Sequence, residues 1–311
     1  MSKHLKPLSL IYNEKSGFHA TNQDEVYEQL MRDLTSYGFE IQTFEMSREG
    51  DFNHLMDKIM FRHQQAFDVG IVVAAGGDGT LNAVAAKLLG TDIPMGILPL
   101  GTFNYVARVL NIPLDILKAA DVIAKGQIRK VHVAKINDQI YLNNASLGLY
   151  PLFIQKRELY NKRFGRFPLH AYTSALDVLI RDRKELKLEV EVDGQKYPVK
   201  TPLIFFGNNQ LQLADMKLRI AECAEKGKVA GVVVVKSDKR TLFKILWQLV
   251  KGHLDHPDVY SFSADEVKIY SKQKKLTVAL DGELVEMQPP LQISVRKNAL
   301  NIMVPHDSTS I

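Results

Sequence analysis

Residues 67–80 read Phe67-Asp68-Val69-Gly70-Ile71-Val72-Val73-Ala74-Ala75-Gly76-Gly77-Asp78-Gly79-Thr80, and their reading decides the fold. From Phe67 to Ala74 the run is apolar almost throughout and of strand length. A strand wetted on one face alternates polar and apolar residues. One buried on both faces does not, and such strands belong to parallel sheets covered by helices. The run breaks at a glycine-rich turn, and helical spacing takes over through Thr80–Leu89.

Working outward, the same alternation continues. Upstream, Leu8–Asn13 is a short apolar run, Asp24–Tyr37 has helical spacing through Val26, Leu30, Met31 and Leu34, Glu40–Met46 alternates as a strand, and Phe52–Arg62 is helical. Thr21 and Asp24 are placed as a capping box for the first helix. Downstream, Pro94–Leu98 reads as a strand, Thr102–Leu110 as a helix, and Asp115–Lys125 as a helix stopped by Gly126. Strand and helix in alternation predict an open parallel α/β domain over residues 1–127, with helices on both faces.

After Gly126 the pattern changes. Lys130–Ile136, Ile140–Ala145, Leu186–Val192, Tyr197–Phe206, Val229–Ser237, Val259–Tyr270, Leu276–Leu280, Leu291–Val295 and Leu300–Val304 read as strands. Several are joined by turn pairs: Asn137-Asp138, Asp193-Gly194 and Lys297-Asn298. Helical spacing interrupts them near Leu169–Arg181 and Thr241–Gly252. Residues 128–311 therefore read as a mainly antiparallel β-sandwich.

Composition narrows the function classes. Hydrophobic residues at 46% and charged residues at 24% suit a globular chain of two domains. A single cysteine, Cys223, excludes an intramolecular disulfide and fits a reducing compartment. Lys3, His4 and Lys6 precede an apolar run that Asn13, Glu14 and Lys15 cut short, too short for a signal peptide. No run approaches the ~20 apolar residues that cross a bilayer. The expected location is cytoplasmic. The net charge of +5 admits nucleic acid, an anionic membrane or phosphate-rich ligands. No nucleic-acid-binding module is present and the basic residues are scattered, which disfavours nucleic acid.

The motif Gly76-Gly77-Asp78-Gly79-Thr80 carries the strongest chemical signal. A glycine-rich turn at a strand's carboxyl end lets backbone N–H groups approach phosphate, and the helix N-terminus adds partial positive charge. Asp78 would repel phosphate unless a divalent cation lay between them, so the motif points to a Mg²⁺–nucleotide site. A tight turn with Asp78 as a helix cap is the plainer alternative. Leu98-Pro99-Leu100-Gly101-Thr102-Phe103-Asn104 repeats the design after the next strand, and Asn13-Glu14-Lys15-Ser16-Gly17 follows the first. Neither a Walker A sequence nor a G-x-G-x-x-G fingerprint is present, which disfavours a P-loop enzyme or a dehydrogenase. Leu280-Asp281-Gly282-Glu283 by itself reads as a hairpin turn.

Taken in order, Asn13…Ser16-Gly17, Gly76–Thr80, Leu98–Asn104 with Ala107-Arg108 and Ile112-Pro113, Asn143-Asn144, Gly207-Asn208-Asn209 and Leu280–Glu283 resemble the diacylglycerol kinase catalytic-domain family. That family also includes sphingosine kinases and bacterial lipid kinases. The resemblance runs from about Leu8 to Pro305. It implies a nucleotide-binding α/β domain, similar to those of NAD kinases and phosphofructokinases, followed by a β-sandwich lipid domain. It implies ATP and Mg²⁺ as cofactors and a lipid hydroxyl as acceptor, diacylglycerol being the default. Asn13, Ser16, Gly76, Gly77, Gly79, Thr80, Gly101, Thr102 and Asn104 would contact nucleotide. Asp78 would be the carboxylate tied to Mg²⁺, and Glu283 the general base. Asp281 would assist catalysis, ordering the same loop or its metal waters.

Some positions depart from the family pattern. Glu14 stands where proline is usual, Tyr105 follows Asn104 where aspartate is common, and His132 replaces a second aspartate. Glu225-Lys226-Gly227-Lys228-Val229-Ala230 stands where some bacterial members carry an Asp- and Gly-rich Mg²⁺ motif, so no structural ion is expected there. Two other functions stay open: a NAD kinase-like phosphotransferase acting on a soluble acceptor, and a catalytically inactive lipid- or nucleotide-binding regulator. Lys156, Arg157, Lys162, Arg163 and Arg166, interleaved with Leu159, Tyr160 and Phe164, suit peripheral docking on an anionic membrane, as do Lys272, Lys274 and Lys275. A solvated charged face explains the same residues equally well. The oligomeric state is left open, with a homodimer among the options.

Overall fold

The structure is a computed structural model of the chain, and it describes residues 5–13, 24–46, 48, 50–101, 104–149, 151–152, 185–208, 221–235, 238, 241–242, 245 and 256–306. The chain divides into two compact units, Met1–His132 with Lys297–Ile311, and Val133–Arg296. The sequence division ran 1–127 and 128–311. The contacts carry the first unit to His132 and return the last fifteen residues to it, because the end of the chain pairs there.

The first unit alternates strands and helices: β1 Lys6–Tyr12, α1 Asp24–Ser36, β2 Phe39–Glu45, α2 Phe52–Gln65, β3 Ile71–Gly76, α3 Asp78–Leu88, β4 Met95–Pro99, α4 Tyr105–Val109 and α5 Ile116–Lys125. Its strands lie in the order β2-β1-β3-β4 and are all parallel. The end of β16, Leu291–Val304, joins β4 in parallel through Ile302 and Met95. Every residue of β3 is buried, as its unbroken apolar run requires. α1 packs with α5, and α2 with α3. Right-handed crossovers from β1 outward to β2, and from β2 back over β1 to β3, put these helix pairs on opposite faces.

Two helices begin elsewhere than the sequence suggested. α3 starts at Asp78 rather than Thr80, so the turn shrinks to Gly76-Gly77, and Asp78, Gly79 and Thr80 form the first helical turn. α4 starts at Tyr105 rather than Thr102, because Asn104 takes a left-handed conformation (φ 50°) that a helix cannot continue through. The capping box at Thr21 lies outside the described residues.

The second unit is a β-sandwich. One layer is antiparallel in the order β12-β11-β10-β7-β14-β15, with β7 Asn144–Gly148, β10 Leu203–Gly207, β11 Val229–Val234, β12 Val259–Ala264, β14 Leu276–Leu280 and β15 Glu283–Met287. In the other, the start of β16 pairs with β13 Glu266–Ser271, which continues to β8 Leu186–Val192 and β9 Gln195–Thr201. β5 Gln127–Ile136 and β6 Gln139–Tyr141 form a hairpin in the same sheet. A short helix, α6 Ala221–Glu225, precedes β11. Ile136, Tyr141, Leu147, Phe206, Val267 and Ile293, drawn from both layers, share one core. Phe206 meets Phe262 edge-to-face with ring centroids 6.3 Å apart.

Two strand readings change here. Val259–Tyr270 is two strands in different layers, split at Asp265. Asp193 fixes the crossing, since its Oδ1 accepts the N–H groups of Asp265 and Glu266 at 3.0 and 3.1 Å. Conversely, Leu291–Val295 and Leu300–Val304 belong to one strand of 14 residues, which runs on through Asn298 (φ 53°) rather than turning there. The helical stretch expected at Leu169–Arg181 lies outside the described residues. Of the one expected at Thr241–Gly252, Thr241, Leu242 and Ile245 are described, and they are helical.

Candidate functional site

In the first unit, β1, β3 and β4 end in register. Tyr12 pairs with Ala75, Ala75 with Leu98, and Gly76 with Pro99. Asn13, Gly77 and Gly101 therefore leave the sheet at one edge. The chain turns from β1 toward β2 on one side and from β3 toward β4 on the other, so this edge is a topological switch point, where open α/β sheets form a crevice.

The two glycine loops touch backbone to backbone. Leu100 N–H donates to the Gly76 carbonyl at 3.0 Å. A Cβ on Gly101 would lie 2.7 Å from the Gly77 Cα and 2.8 Å from Asn104 Oδ1. One on Gly76 would lie 2.6 Å from the Thr80 side chain. Side chains are thus excluded from the seam between the loops, and the peptide groups form its surface. Asn104 braces the second loop: its Oδ1 accepts the Gly101 N–H at 2.9 Å and its Nδ2 donates to the Gly101 carbonyl at 2.7 Å. The sequence placed Asn104 among nucleotide contacts; in the structure its carboxamide bonds both polar groups of Gly101 within the loop.

Gly77 is the N-cap of α3 and offers no side-chain cap. The first N–H groups of a helix have no partner within it, and the helix dipole adds positive potential there. Asp78 opens this turn, and Asn82 follows one turn later on the same face. The Oδ1 atoms of both are shielded from solvent. No group of three or more His, Cys, Asp or Glu among the described residues could hold a metal ion by itself. The Asp78 carboxylate beside backbone N–H groups would suit Mg²⁺ only where phosphate oxygens and water completed the shell. Ser16 and Thr102 lie outside the described residues, while Asn13 is half-buried at the end of β1. Tyr105 is the first residue of α4, and His132 Nδ1 accepts the N–H of Asn298, within β16, at 3.0 Å.

In the second unit, three segments far apart in sequence meet at one end of the six-stranded layer. β7 begins at Asn144, paired with Gly207 at the end of β10, and Ala145 pairs with Leu280 at the end of β14. The turn between β14 and β15 is Asp281-Gly282, both with positive φ (47° and 91°). It presents Glu283, exposed, as the first residue of β15. The Asp281 carboxylate accepts three consecutive backbone N–H groups: Leu142 at 2.7 Å on Oδ2, and Asn143 and Asn144 at 2.8 and 2.9 Å on Oδ1. Its own N–H donates to the Asn144 carbonyl at 2.9 Å. Asn208 closes the same turn from β10, its N–H on the Asn143 carbonyl (2.8 Å) and its Nδ2 on the Leu142 carbonyl (3.1 Å). Burial, with the Asp281 charge adding to it, holds the Tyr141 phenol far above its ordinary value.

The sequence marked Asn143, Asn144 and Asn208 only as family landmarks. Their shared turn is tertiary, and only the family order of motifs hinted at it. Lys272, Lys274 and Lys275 are exposed in the loop entering β14, at the end of that strand opposite Asp281. The basic stretch around Lys156–Arg166 lies outside the described residues. Among the described residues no helix is long and apolar enough to cross a membrane.

Comparison with known proteins agrees with this arrangement. Residues 7–136 match the diacylglycerol kinase catalytic domain, and residues 157–304 match the YegS C-terminal NAD kinase beta sandwich-like domain. The chain is 28% identical over 308 residues to a diacylglycerol kinase of Staphylococcus aureus (strain bovine RF122 / ET3-1), covering 97% of this chain and 93% of that one. It is 27% identical to a diacylglycerol kinase of Staphylococcus haemolyticus (strain JCSC1435), covering 96% and 88%. Its fold matches the crystal structure of a diacylglycerol kinase from Bacillus anthracis str. Sterne with a TM-score of 0.73, at 20% identity and with both chains fully covered. A parallel α/β unit bearing the glycine-aspartate loop, a sandwich bearing the Asp-Gly-Glu hairpin, and matches along nearly the whole sequence together place this chain in the diacylglycerol kinase catalytic-domain family.

Proposed function

We propose that the chain is an ATP-dependent lipid kinase that moves the γ-phosphate to the hydroxyl of diacylglycerol or a related lipid alcohol. The observation that carries this reading is the seam of Gly76, Gly77 and Gly101 at the switch point, with Asp78 opening α3 beside it. The relatives named diacylglycerol kinase support the choice of a lipid acceptor.

In this reading the backbone N–H groups of the glycine loops and of the first turn of α3 receive phosphate oxygens. Asp78 would hold Mg²⁺, which when bound neutralises phosphate charge and fixes the transferring group. Glu283, exposed on its hairpin, accepts the hydroxyl proton as the new O–P bond forms and the bond to the β-phosphate oxygen breaks, releasing ADP. A free alcohol is far too weak an acid to ionise first, so the proton must leave during attack. Reaching a lipid acceptor implies peripheral work at a membrane surface, and cytoplasmic residence fits the lone cysteine.

The deciding experiment incubates the protein with radiolabelled ATP, Mg²⁺ and fractionated lipid extracts. Label in a lipid phosphate is expected. Asp78→Asn should lower that transfer by about 100-fold or more while leaving the circular dichroism unchanged. Label passing to NAD, or none passing to any acceptor despite nucleotide binding, would overturn the reading in favour of a soluble acceptor or a regulator.

A further inference from the structure

The two carboxylates of the Asp281-Gly282-Glu283 hairpin have different surroundings. Glu283 is exposed. Asp281 spends its oxygens on the backbone: two N–H groups on Oδ1, one on Oδ2, from residues 142, 143 and 144 in sequence. A carboxylate gripping three amide donors is an acceptor in a fixed frame, comparable to an anion in a backbone nest. Taking up a proton would give up the charge that those three donors stabilise, which makes it a poor base. Its main-chain N–H returns a fourth bond to Asn144.

These bonds extend the contact between β14 and the segment leading into β7. β14 pairs with β7 through Val278, Ala279 and Leu280, and that pairing stops at Ala145. Beyond it, Leu142 and Asn143 bend away from the sheet, while Asn144 stays paired with Gly207 of β10. Asp281 fastens this bend from the β14 side and Asn208 from the β10 side. Asp281 and Gly282 are also the two central residues of the turn that aims Glu283, both at positive φ. A shift of the Asp281 carboxylate therefore moves the turn bearing Asn143 and Asn144 relative to the residue that aims Glu283.

We propose that Asp281 is a positioning residue: its carboxylate clips the Leu142–Asn144 backbone to the hairpin that carries Glu283, and it acts neither as a base nor as a ligand to metal-bound water. This assignment rests on the proposed kinase reading for its effect on turnover, but not for its structural consequence.

The test compares Asp281→Asn, Asp281→Ala and Glu283→Gln by deuterium uptake and kinetics. Asparagine keeps Oδ1, which takes two of the three bonds, and loses the third by presenting N–H to N–H at Leu142. Amide exchange at residues 142–144 should be about 10-fold faster or more in Asp281→Ala, intermediate in Asp281→Asn, and unchanged in Glu283→Gln. This readout needs no enzymatic activity, so it stands even if no lipid is phosphorylated. In the kinase assay, kcat should fall about 100-fold in Asp281→Ala and be partly restored in Asp281→Asn, with the KM for ATP and the Mg²⁺ concentration for half-maximal rate unchanged. Should Asp281→Ala fail to fold, the Asn variant alone decides. Unchanged exchange at 142–144 in the Asn variant, or a raised Mg²⁺ requirement in either, would overturn the assignment.

Discussion

His63 shows how one residue ties local chemistry to stability. It sits on the buried side of α2, and its Nε2 lies 2.9 Å from Ser9 Oγ on β1. Arg62 Nη1 donates to the same hydroxyl at 3.3 Å, which turns the Ser9 proton toward the imidazole. Burial, then the Arg62 charge, lowers the pKa of His63 from 6.5 to about 4. Between those values the unfolded chain binds the proton and the folded one does not, so stability rises with pH across that window. It is fully present above about pH 6.5 and lost as the pH falls toward 4, a change of about 3 kcal/mol. Urea denaturation at several pH values should show wild type losing more stability on acidification than His63→Gln, which cannot titrate. Equal slopes would mean that the ring is protonated in the folded state. At this scale the sequence was only partly legible. Glycines at 76, 77 and 101 mark a close backbone approach in the sequence, and the structure brings the two loops together there, whereas the bonds of Asn104 to Gly101 had no signal in the sequence. That a carboxamide folds back on its own loop depends on a left-handed φ that no local pattern announces.

Among elements, α5 was read almost to its ends, because both of its signals are chemical and local. Asp115 Oδ1 accepts the Lys118 N–H at 2.9 Å as the N-cap, and the Gly126 N–H closes the C-terminus on the Val122 carbonyl. Removing the cap in Asp115→Ala should cost about 1 kcal/mol by chemical denaturation, with turnover unaffected, since the exposed Asp115 carboxylate caps its own helix. No loss at all would mean that another group takes over those N–H donors. Strands were read less well where tertiary bonds override pattern. Val259–Tyr270 is apolar enough to continue as one strand, yet Asp193, more than sixty residues earlier, draws the backbone aside at Asp265. Asn298 sits in a pair that reads as a turn, and the strand runs on through it because β13 and β4 offer pairing to its two halves.

For the whole molecule, the return of the chain is the feature with the largest consequence. The last residues of β16 belong to the first unit, where Leu300, Ile302 and Val304 are buried to within 1% of complete. Burial of three such side chains is worth several kcal/mol at about 1.5–3 kcal/mol each. A chain ended after Arg296 also leaves the β4 edge unpaired. Limited proteolysis should then cut the first unit much faster than in the full chain, and the proposed nucleotide binding should be lost with it. Equal protection of the truncated and full chains would show that the returning strand is dispensable.

What the sequence determined by itself is the architecture and the location of the glycine-rich loops. Both follow from short-range rules: an unbroken apolar run must be covered on two faces, and glycines at a strand's end admit close backbone approach. The tertiary structure decided how the side chains there are used. Asp281 and Glu283 stand two residues apart and look alike in the sequence, but Asp281 meets three N–H groups from a turn nearly 140 residues away while Glu283 stays in solvent. A carboxylate takes its role from the donors around it, and those donors are assembled only when the sheet closes.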